Sequence, residues 1–421
     1  MKKQQQTLSS REAAFHAVLG ALQGKGYIGE SLDAWDKTSH PDSSDFRLAL
    51  EIAFGSTRRA LSLDHILAQC TDRGKLSFGL KEKVLLRMGA YQHIFMDRIP
   101  SHAVVNETVA LAKKHCHSSF ANFANAILRK LITNTPPLPQ GQTAQDLSIR
   151  HSYPLYFVEK LIADHGEGAA IQIMEVMNQP TATMVRIRQK GAEELVKGIK
   201  RLPETSNMAT VEETSLLPWL AASEHYYIQN ATPVALIDHL CKRETPPKRI
   251  LDLCAAPGGK TLAAYDHYPQ AAFTANDISP EKIFRLEENF AKYHIPARVT
   301  CSMGEDFIGT ELYDVVIVDA PCSNSGVLHK RPEARWRLSK ETSALLEEKQ
   351  LKLIGHAKAL LNNGGEIWYM TCSILKEENE NLVERACKRW GLKISHPMHT
   401  ILPNMAGWDG GFAAKLSQQT F

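Results

Sequence analysis

Two cysteines stand where their thiols could take part in chemistry. Cys322 follows the apolar run Tyr313–Asp319, and Cys372 follows a second apolar run at 366–370. Both runs have the length and composition of buried strands, and a helical pattern at 341–361 lies between them. Strands joined by a helix usually pair in parallel, so both thiols are expected at the carboxyl edge of one sheet, where open α/β sheets bind ligands.

A turn of small residues and an acidic residue precede this cysteine pair. The predicted strand 249–253 runs into the turn CAAPGGKT (254–261), where the backbone can approach a ligand closely. Position 254 is Cys where a P-loop requires Gly, and the dinucleotide pattern GxGxxG is absent. The turn alone fits a structural loop equally well. Asp277 favours a nucleoside site, because it ends the next strand, where a carboxylate accepts hydrogen bonds from ribose hydroxyls.

Thiols beside a nucleoside pocket suggest covalent chemistry on a pyrimidine. A thiolate that adds to carbon 6 of cytosine makes carbon 5 nucleophilic, so that carbon 5 can take an electrophilic methyl group. Asp319, expected near ring nitrogen 3, is positioned to supply the proton that the addition requires. The strand-end positions leave open which thiol attacks. The alternative is that one or both cysteines are inert.

The elements around these residues predict three regions. Helical periodicity occurs at 45–55, 61–70, 81–96, 101–115 and 119–133, and Ser9 precedes a further helix as its N-cap. A proline-rich stretch follows at 134–141. We therefore predict an all-α N-terminal domain (1–134), a linker (135–146), a small α+β region (147–245) and a C-terminal α/β Rossmann-like domain (246–421).

Composition and charge narrow the class of protein. The chain is 43% hydrophobic and 23% charged, with no apolar run near the roughly 18 residues of a membrane span. Its polar start predicts no signal peptide, so we expect a cytoplasmic protein. The eight cysteines lack CxxC spacing, and no metal site is expected. Residues 1–140 hold 18 Lys+Arg against 12 Asp+Glu, which fits a polyanionic partner or an ordinary solvated surface about equally.

A basic segment follows the Cys322 loop. Four cationic side chains flank one aromatic ring, a combination that suits phosphates and a stacked base: Lys330, Arg331, Arg335, Trp336 and Arg337. The alternative is a solvated helix start. Proximity to the predicted site favours RNA binding.

Four runs in order resemble RNA cytosine-5 methyltransferases of the Sun/Fmu type: LDLCAAPGGKT (251–261), NDIS (276–279), VDAPCSNSGVL (318–328) and TCSI (371–374). Residues 99–115 and 123–131 resemble the NusB-like helical domain of the bacterial ribosomal-RNA subgroup. Residues 147–247 are similar to its connecting RNA-binding region, and residues 407–416 to its final strand. The resemblance covers nearly the whole chain.

This resemblance implies a site and a reaction. S-adenosyl-L-methionine would be bound by Cys254, Ala255, Ala256, Pro257, Gly258, Gly259, Lys260 and Asp277. Asp319 would line the site, and Met303 stands where an acid usually contacts the adenine. Cys372 would be the nucleophile, with Cys322 assisting product release. The implied substrate is a cytosine of small-subunit ribosomal RNA, the partner is RNA, no membrane is involved, and a monomer is expected.

Two other classes of function fit the sequence less well. A non-catalytic RNA-binding factor for ribosome assembly would keep the helical domain, but it has no need of two strand-end cysteines and a ribose-binding acid. A nucleotide-hydrolysing switch is disfavoured because the P-loop is missing.

Overall fold

Helices make up the first part of the chain because its apolar residues recur at helical spacing. The computed structural model describes residues 8–188, 196–203, 205 and 207–419. These residues divide into two compact units. The helical unit comprises the described residues up to Asn178 together with Leu328–Ser339. The sheet unit comprises the described residues from Gln179 to Val327 and from Lys340 onward.

The helical unit is built from α-helices around one apolar core, which includes Phe15, Leu32, Ile52, Leu85 and Leu128. Its helices are α1 (Ser10–Leu22), α2 (Ile28–Ser39), α3 (Ser43–Arg58), α4 (Ala60–Gln69), α5 (Leu80–Phe95), α6 (Ser101–His115), α7 (Ser118–Thr133), α8 (Ala144–His151), α9 (Leu155–His165) and α10 (Glu167–Val176).

The helix starts show how local sequence sets these boundaries. Ser9 caps α1, since its hydroxyl accepts from the Glu12 N–H at 3.3 Å. Thr143 and Asp146 form a reciprocal capping box at the start of α8, within the stretch that the sequence predicted as a linker. Helix α2 was not predicted, although its buried residues Ile28, Leu32 and Trp35 have helical spacing.

The sheet unit begins with a small antiparallel sheet in the order β2-β3-β1-β4. Its elements are β1 (Thr183–Ile187), β2 (Ile199–Arg201), β3 (Met208–Val211), α11 (Leu217–Ala222), β4 (Tyr226–Ile228) and α12 (Ala231–Leu240). The predicted α+β region 147–245 is therefore divided, because α8–α10 belong to the helical unit and these strands belong to the sheet unit.

A larger sheet, seven-stranded among the described residues, has the order β10-β11-β9-β8-β5-β6-β7. Strands β5 to β9 pair in parallel, whereas β10 and β11 are antiparallel. Its elements are β5 (Arg249–Asp252), α13 (Gly259–His267), β6 (Ala272–Asp277), α14 (Pro280–Lys292), β7 (Ala297–Cys301), β8 (Tyr313–Asp319), α15 (Lys340–Ala359), β9 (Leu361–Thr371), α16 (Glu380–Trp390), β10 (Leu392–Ile401) and β11 (Gly411–Gln418). This confirms the predicted Rossmann-like α/β domain.

The parallel strands carry the predicted site residues to one edge. Apolar side chains on both faces of β5, β8 and β9 are buried, which explains why these strands read as continuous apolar runs. Strand β8 lies between β5 and β9, so the loops after these three strands emerge side by side. Among the helices of the described residues, none combines the length and apolar character needed to cross a bilayer.

Candidate active site

The two predicted cysteines meet at the carboxyl edge of the sheet. Asp319 at the end of β8 pairs with Met370 near the end of β9, so the chains leaving these strands start side by side. The sulfur atoms of Cys322 and Cys372 lie 3.1 Å apart, and both cysteines are unoxidised and half-buried. Contact with Cys372, burial and nearby negative charge raise the pKa of Cys322 well above its ordinary value.

Asn324 orients the cysteine pair. Its backbone is left-handed, with φ of 60°, a conformation that Asn tolerates better than most residues. Its side-chain amide donates to the Cys322 carbonyl at 3.1 Å, and its oxygen lies 3.4 Å from the Cys372 sulfur as an acceptor. The backbone N–H of Gly326 donates to the Cys372 carbonyl at 2.9 Å. Several hydrogen bonds therefore join the loop after β8 to the loop after β9.

Lys260 brings the turn after β5 to the end of β8. Its ammonium lies 2.6 Å from the Asp319 carboxylate. Burial alone would lower the pKa of Lys260, but the attraction of Asp319 outweighs that effect and leaves its pKa raised. A fixed cation, a carboxylate and two thiols therefore share one edge of the sheet.

The turn after β5 and the acid after β6 form the predicted cofactor site. The N–H of Ala256 donates to the Asp277 carboxylate at 3.0 Å, and Asp277 is almost fully buried. Gly258 has φ of +100°, and a Cβ there would meet Leu286 at 2.8 Å, so this position requires glycine. At Gly258 the turn therefore packs closely on α14 and offers only its backbone.

The rest of the cofactor prediction lies along the same edge. The predicted turn residues Cys254, Ala255, Ala256, Pro257, Gly258 and Gly259 follow β5 directly. Burial raises the pKa of Cys254, so its thiol stays neutral. Met303 follows β7 and is 45% exposed. Ile278, which follows the adjacent strand β6, is 49% exposed. An apolar surface thus stands where an acid was expected for adenine.

The basic segment requires a correction. Arg335 is completely buried inside the helical unit and donates to the Met177 carbonyl and the Asn178 side chain at 2.9 and 2.8 Å. Its predicted role in RNA binding is contradicted, because a guanidinium enclosed by protein acceptors does not reach phosphate. Trp336 is half-buried, and its indole N–H donates to the Thr57 carbonyl at 3.0 Å. Lys330, Arg331 and Arg337 are exposed, and their RNA contacts stay predictions.

Two polar side chains of the site were not singled out from the sequence. Asp252 is buried below the turn and accepts from the Thr261 hydroxyl at 2.7 Å, and burial raises its pKa to about 7. Glu378 is buried beneath the cysteine loops. Asp252 stood inside a recognised run, within the buried strand 249–253, which was a usable signal. Glu378 stands in an acidic stretch that resembles a solvated surface, so nothing in the local pattern marked it.

Comparisons with known proteins agree with this geometry. Residues 241–417 match the model of the 16S rRNA methyltransferase RsmB/F family, and residues 8–133 match that of the NusB family. The chain is 28% identical over 436 residues to the ribosomal RNA small subunit methyltransferase B of Vibrio cholerae, covering 98% of both chains. It is 27% identical over 400 residues to the probable ribosomal RNA small subunit methyltransferase B of Bacillus subtilis, covering 89% of this chain and 87% of the relative.

Solved structures show the same fold. The crystal structure of PH0851 covers 96% of this chain and 98% of its own, with a TM-score of 0.78 and 19% identity. A methyltransferase homologue from Pyrococcus horikoshii covers 66% of this chain and 100% of its own, with a TM-score of 0.57 and 21% identity. The buried Asp277 and the close-packed turn at Gly258 fit S-adenosyl-L-methionine, the cofactor of the methyltransferase family. The chain therefore carries an RsmB/F methyltransferase domain at residues 241–417 and, ahead of it, a NusB-family domain at residues 8–133.

Proposed function

We propose that this protein methylates carbon 5 of a cytosine in small-subunit ribosomal RNA, with S-adenosyl-L-methionine as the methyl donor and Cys372 as the covalent nucleophile. The observation that carries the proposal is the contact of two thiols, 3.1 Å apart, beside Asp319 and the cofactor turn. A methyltransferase that acts on a nucleophilic nitrogen or oxygen needs no such pair, whereas carbon 5 of cytosine must first be activated by covalent addition.

The run TCSI (371–374), which resembles that of RNA cytosine-5 methyltransferases, supports Cys372 as the attacking sulfur. Asn324 accepts from the Cys372 S–H at 3.4 Å and so holds this sulfur 3.1 Å from the sulfur of Cys322. Lys260 adds a positive charge to the same edge, held there by its ion pair with Asp319.

The proposed reaction forms and then breaks one bond at Cys372. The Cys372 thiolate bonds to carbon 6, and ring nitrogen 3 takes a proton that the Lys260 ammonium gives up through the Asp319 carboxylate. Carbon 5 then takes the methyl group that S-adenosyl-L-methionine would supply when bound, which leaves S-adenosyl-L-homocysteine. The proton on carbon 5 passes to solvent, with Cys322 assisting, and the double bond between carbons 5 and 6 reforms as the Cys372–carbon bond breaks. Nitrogen 3 returns its proton through Asp319 to Lys260, so these side chains end as they began.

The relatives guide the choice of substrate. Those of Vibrio cholerae and Bacillus subtilis are named ribosomal RNA small subunit methyltransferase B and are similar along nearly the whole chain. The exposed cations Lys330, Arg331 and Arg337 are proposed to contact RNA phosphates. The relatives' names favour ribosomal RNA over transfer RNA, because phosphates are common to both.

The decisive experiment separates the two cysteines. Small-subunit ribosomal RNA from cells that lack the protein is incubated with S-adenosyl-L-methionine and each variant, and carbon-5 methylation is mapped by bisulfite sequencing. Cys372→Ser should abolish methylation and form no adduct, because a hydroxyl is far less ionised than a thiol near neutral pH. Cys322→Ala should methylate and then stall, leaving an RNA–protein complex that survives denaturing electrophoresis.

Controls make each outcome interpretable. Cys116→Ser alters a half-buried cysteine of the helical unit and should behave like the wild type. The double variant at 322 and 372 should lose the complex, because nothing remains to attack. If Cys372→Ser traps RNA while Cys322→Ala is merely inactive, the roles of the cysteines are reversed. Full methylation by both single variants would refute the covalent mechanism.

A further inference from the structure

A carboxylate lies beneath both cysteine loops. Glu378 is completely buried in the turn between β9 and α16. One of its oxygens accepts from the Ser323 N–H at 2.9 Å and from the Gln350 amide at 3.1 Å. The carboxylate also accepts from the Ser323 hydroxyl. Three donors therefore contact the carboxylate, which offers about four acceptor sites.

These contacts connect the two halves of the site. Ser323 directly follows Cys322 and donates to the carboxylate through its N–H and its hydroxyl. Ser373 directly follows Cys372, and its hydroxyl lies 3.4 Å from the Ser323 hydroxyl, so the carboxylate is linked to the residue next to each thiol. Ser325 extends the link, because its hydroxyl lies 2.8 Å from the Ser373 hydroxyl and accepts from the Ile374 N–H at 3.0 Å. The loops after β8 and β9 therefore share a buried polar network centred on Glu378.

The direction of these bonds matters. The groups that contact the Glu378 carboxylate act as donors, which suits an ionised acceptor. Burial raises the pKa of Glu378, and the donated hydrogen bonds oppose that shift. Its negative charge is also one cause of the raised pKa of Cys322, after contact with Cys372 and burial. Replacement of Glu378 by Gln would place an amide N–H donor against the N–H and hydroxyl groups that donate to the carboxylate.

We propose that Glu378 is a positioning residue that holds the Cys322 loop against Cys372 for product release. This role rests on the proposed function. Ser323 makes two bonds to the carboxylate, whereas Ser373 is linked to it through the Ser323 hydroxyl, so loss of the carboxylate should loosen the Cys322 loop most. Attack by Cys372 would persist, whereas elimination would slow. Glu378 touches neither sulfur, so it acts through the two serines.

The test is Glu378→Gln in the full-length protein, with small-subunit ribosomal RNA as substrate. We expect kcat to fall by roughly tenfold to hundredfold, the scale on which a displacement of about 1 Å affects a reacting group. KM for RNA and the affinity for S-adenosyl-L-methionine should stay near the wild type. The distinguishing readout is the adduct that we also expect of Cys322→Ala, in smaller amount: an RNA–protein adduct that survives denaturation should accumulate during turnover of Glu378→Gln.

Matched variants keep the test decisive. Glu377→Gln makes the same chemical change one residue away, at a half-buried position, and should leave kcat unaltered. Ser323→Ala removes one bond to Glu378 and should give the same adduct in smaller amount, which decides the matter if Glu378→Gln fails to fold. Wild-type turnover by Glu378→Gln would overturn the role. So would a loss of kcat that matches the unfolded fraction of the variant and produces no adduct. Absence of adduct in Cys322→Ala as well would instead overturn the proposed function and this role with it.

Discussion

Replacing Arg335 by Met tests whether this buried cation stabilises the helical unit. The guanidinium donates to neutral acceptors: the carbonyls of Arg58, Ser152 and Met177 at 3.0, 3.3 and 2.9 Å, and the Asn178 side chain at 2.8 Å. It also lies 3.9 Å from the centre of the Tyr153 ring. Burial lowers the pKa of Arg335 to about 9, so it is still protonated at neutral pH.

Opposing effects set the size of the change in the free energy of unfolding. Each buried acceptor left unpaired costs about 1–3 kcal/mol, and losing the contact with Tyr153 adds to the loss. Removal of a desolvated charge offsets part of this, by up to several kcal/mol. We expect Arg335→Met to destabilise the helical unit by about 3 kcal/mol. Arg47→Met makes the same chemical change at an exposed side chain of α3 and should cost less than about 1 kcal/mol.

Native-state hydrogen exchange is the suitable measurement, because a chain with two units need not unfold in a single step. Amides in α3 and α8 should exchange roughly a hundredfold faster in Arg335→Met, which corresponds to about 3 kcal/mol. Lys330→Met should instead leave exchange unchanged, weaken RNA binding and reduce the salt dependence by about one ion. If the amides of Arg335→Met keep full protection from hydrogen exchange and the salt dependence of its RNA binding is reduced, the burial argument is refuted. Arg335 would then have the RNA-binding role that the sequence predicted.

Two further substitutions test the site. Asp277→Asn should weaken S-adenosyl-L-methionine binding by about 1.5–3 kcal/mol, the worth of hydrogen bonds to a charged group, and wild-type affinity by calorimetry would remove Asp277 from the ribose. Gly326→Ala would place a Cβ 2.6 Å from backbone atoms of Gly410, so it should cost about 1–3 kcal/mol and slow methylation, whereas Gly168→Ala meets open space and should leave both the melting temperature and the rate unchanged.

Much of the sheet unit follows from the sequence because of how parallel strands are buried. Strands covered on both faces read as continuous apolar runs, so β5, β8 and β9 are recognisable without any partner. Once β8 and β9 are recognised as neighbours, the convergence of Cys322 and Cys372 follows from chain geometry alone. The spacing between the two sulfur atoms does not, since it depends on Asn324 in its left-handed conformation and on the network below the loops.

The residues that were misjudged or missed depend on contacts between distant parts of the chain. Arg335 looks like its basic neighbours, yet its acceptors lie 157 to 277 residues away in sequence. Glu378 stands among acidic residues typical of an exposed surface, and only the packing of two loops buries it. Local pattern reports the type of element and the face it buries, and it does not report which member of a charged cluster turns inward.

The position of the basic segment also affects how RNA binding should be tested. Leu328–Ser339 directly follows the Cys322 loop in the chain, yet it belongs to the helical unit. There Glu333 accepts from the first N–H of α2 at 3.3 Å, and Arg335 binds carbonyls near the ends of α3 and α10. Deleting the N-terminal helices would remove the Ile28 donor of Glu333 and the Arg58 acceptor of Arg335. A loss of RNA affinity after truncation would then report damage to the segment that follows the Cys322 loop in the chain, so substitutions of exposed cations such as Lys330 in the intact chain are the sounder test.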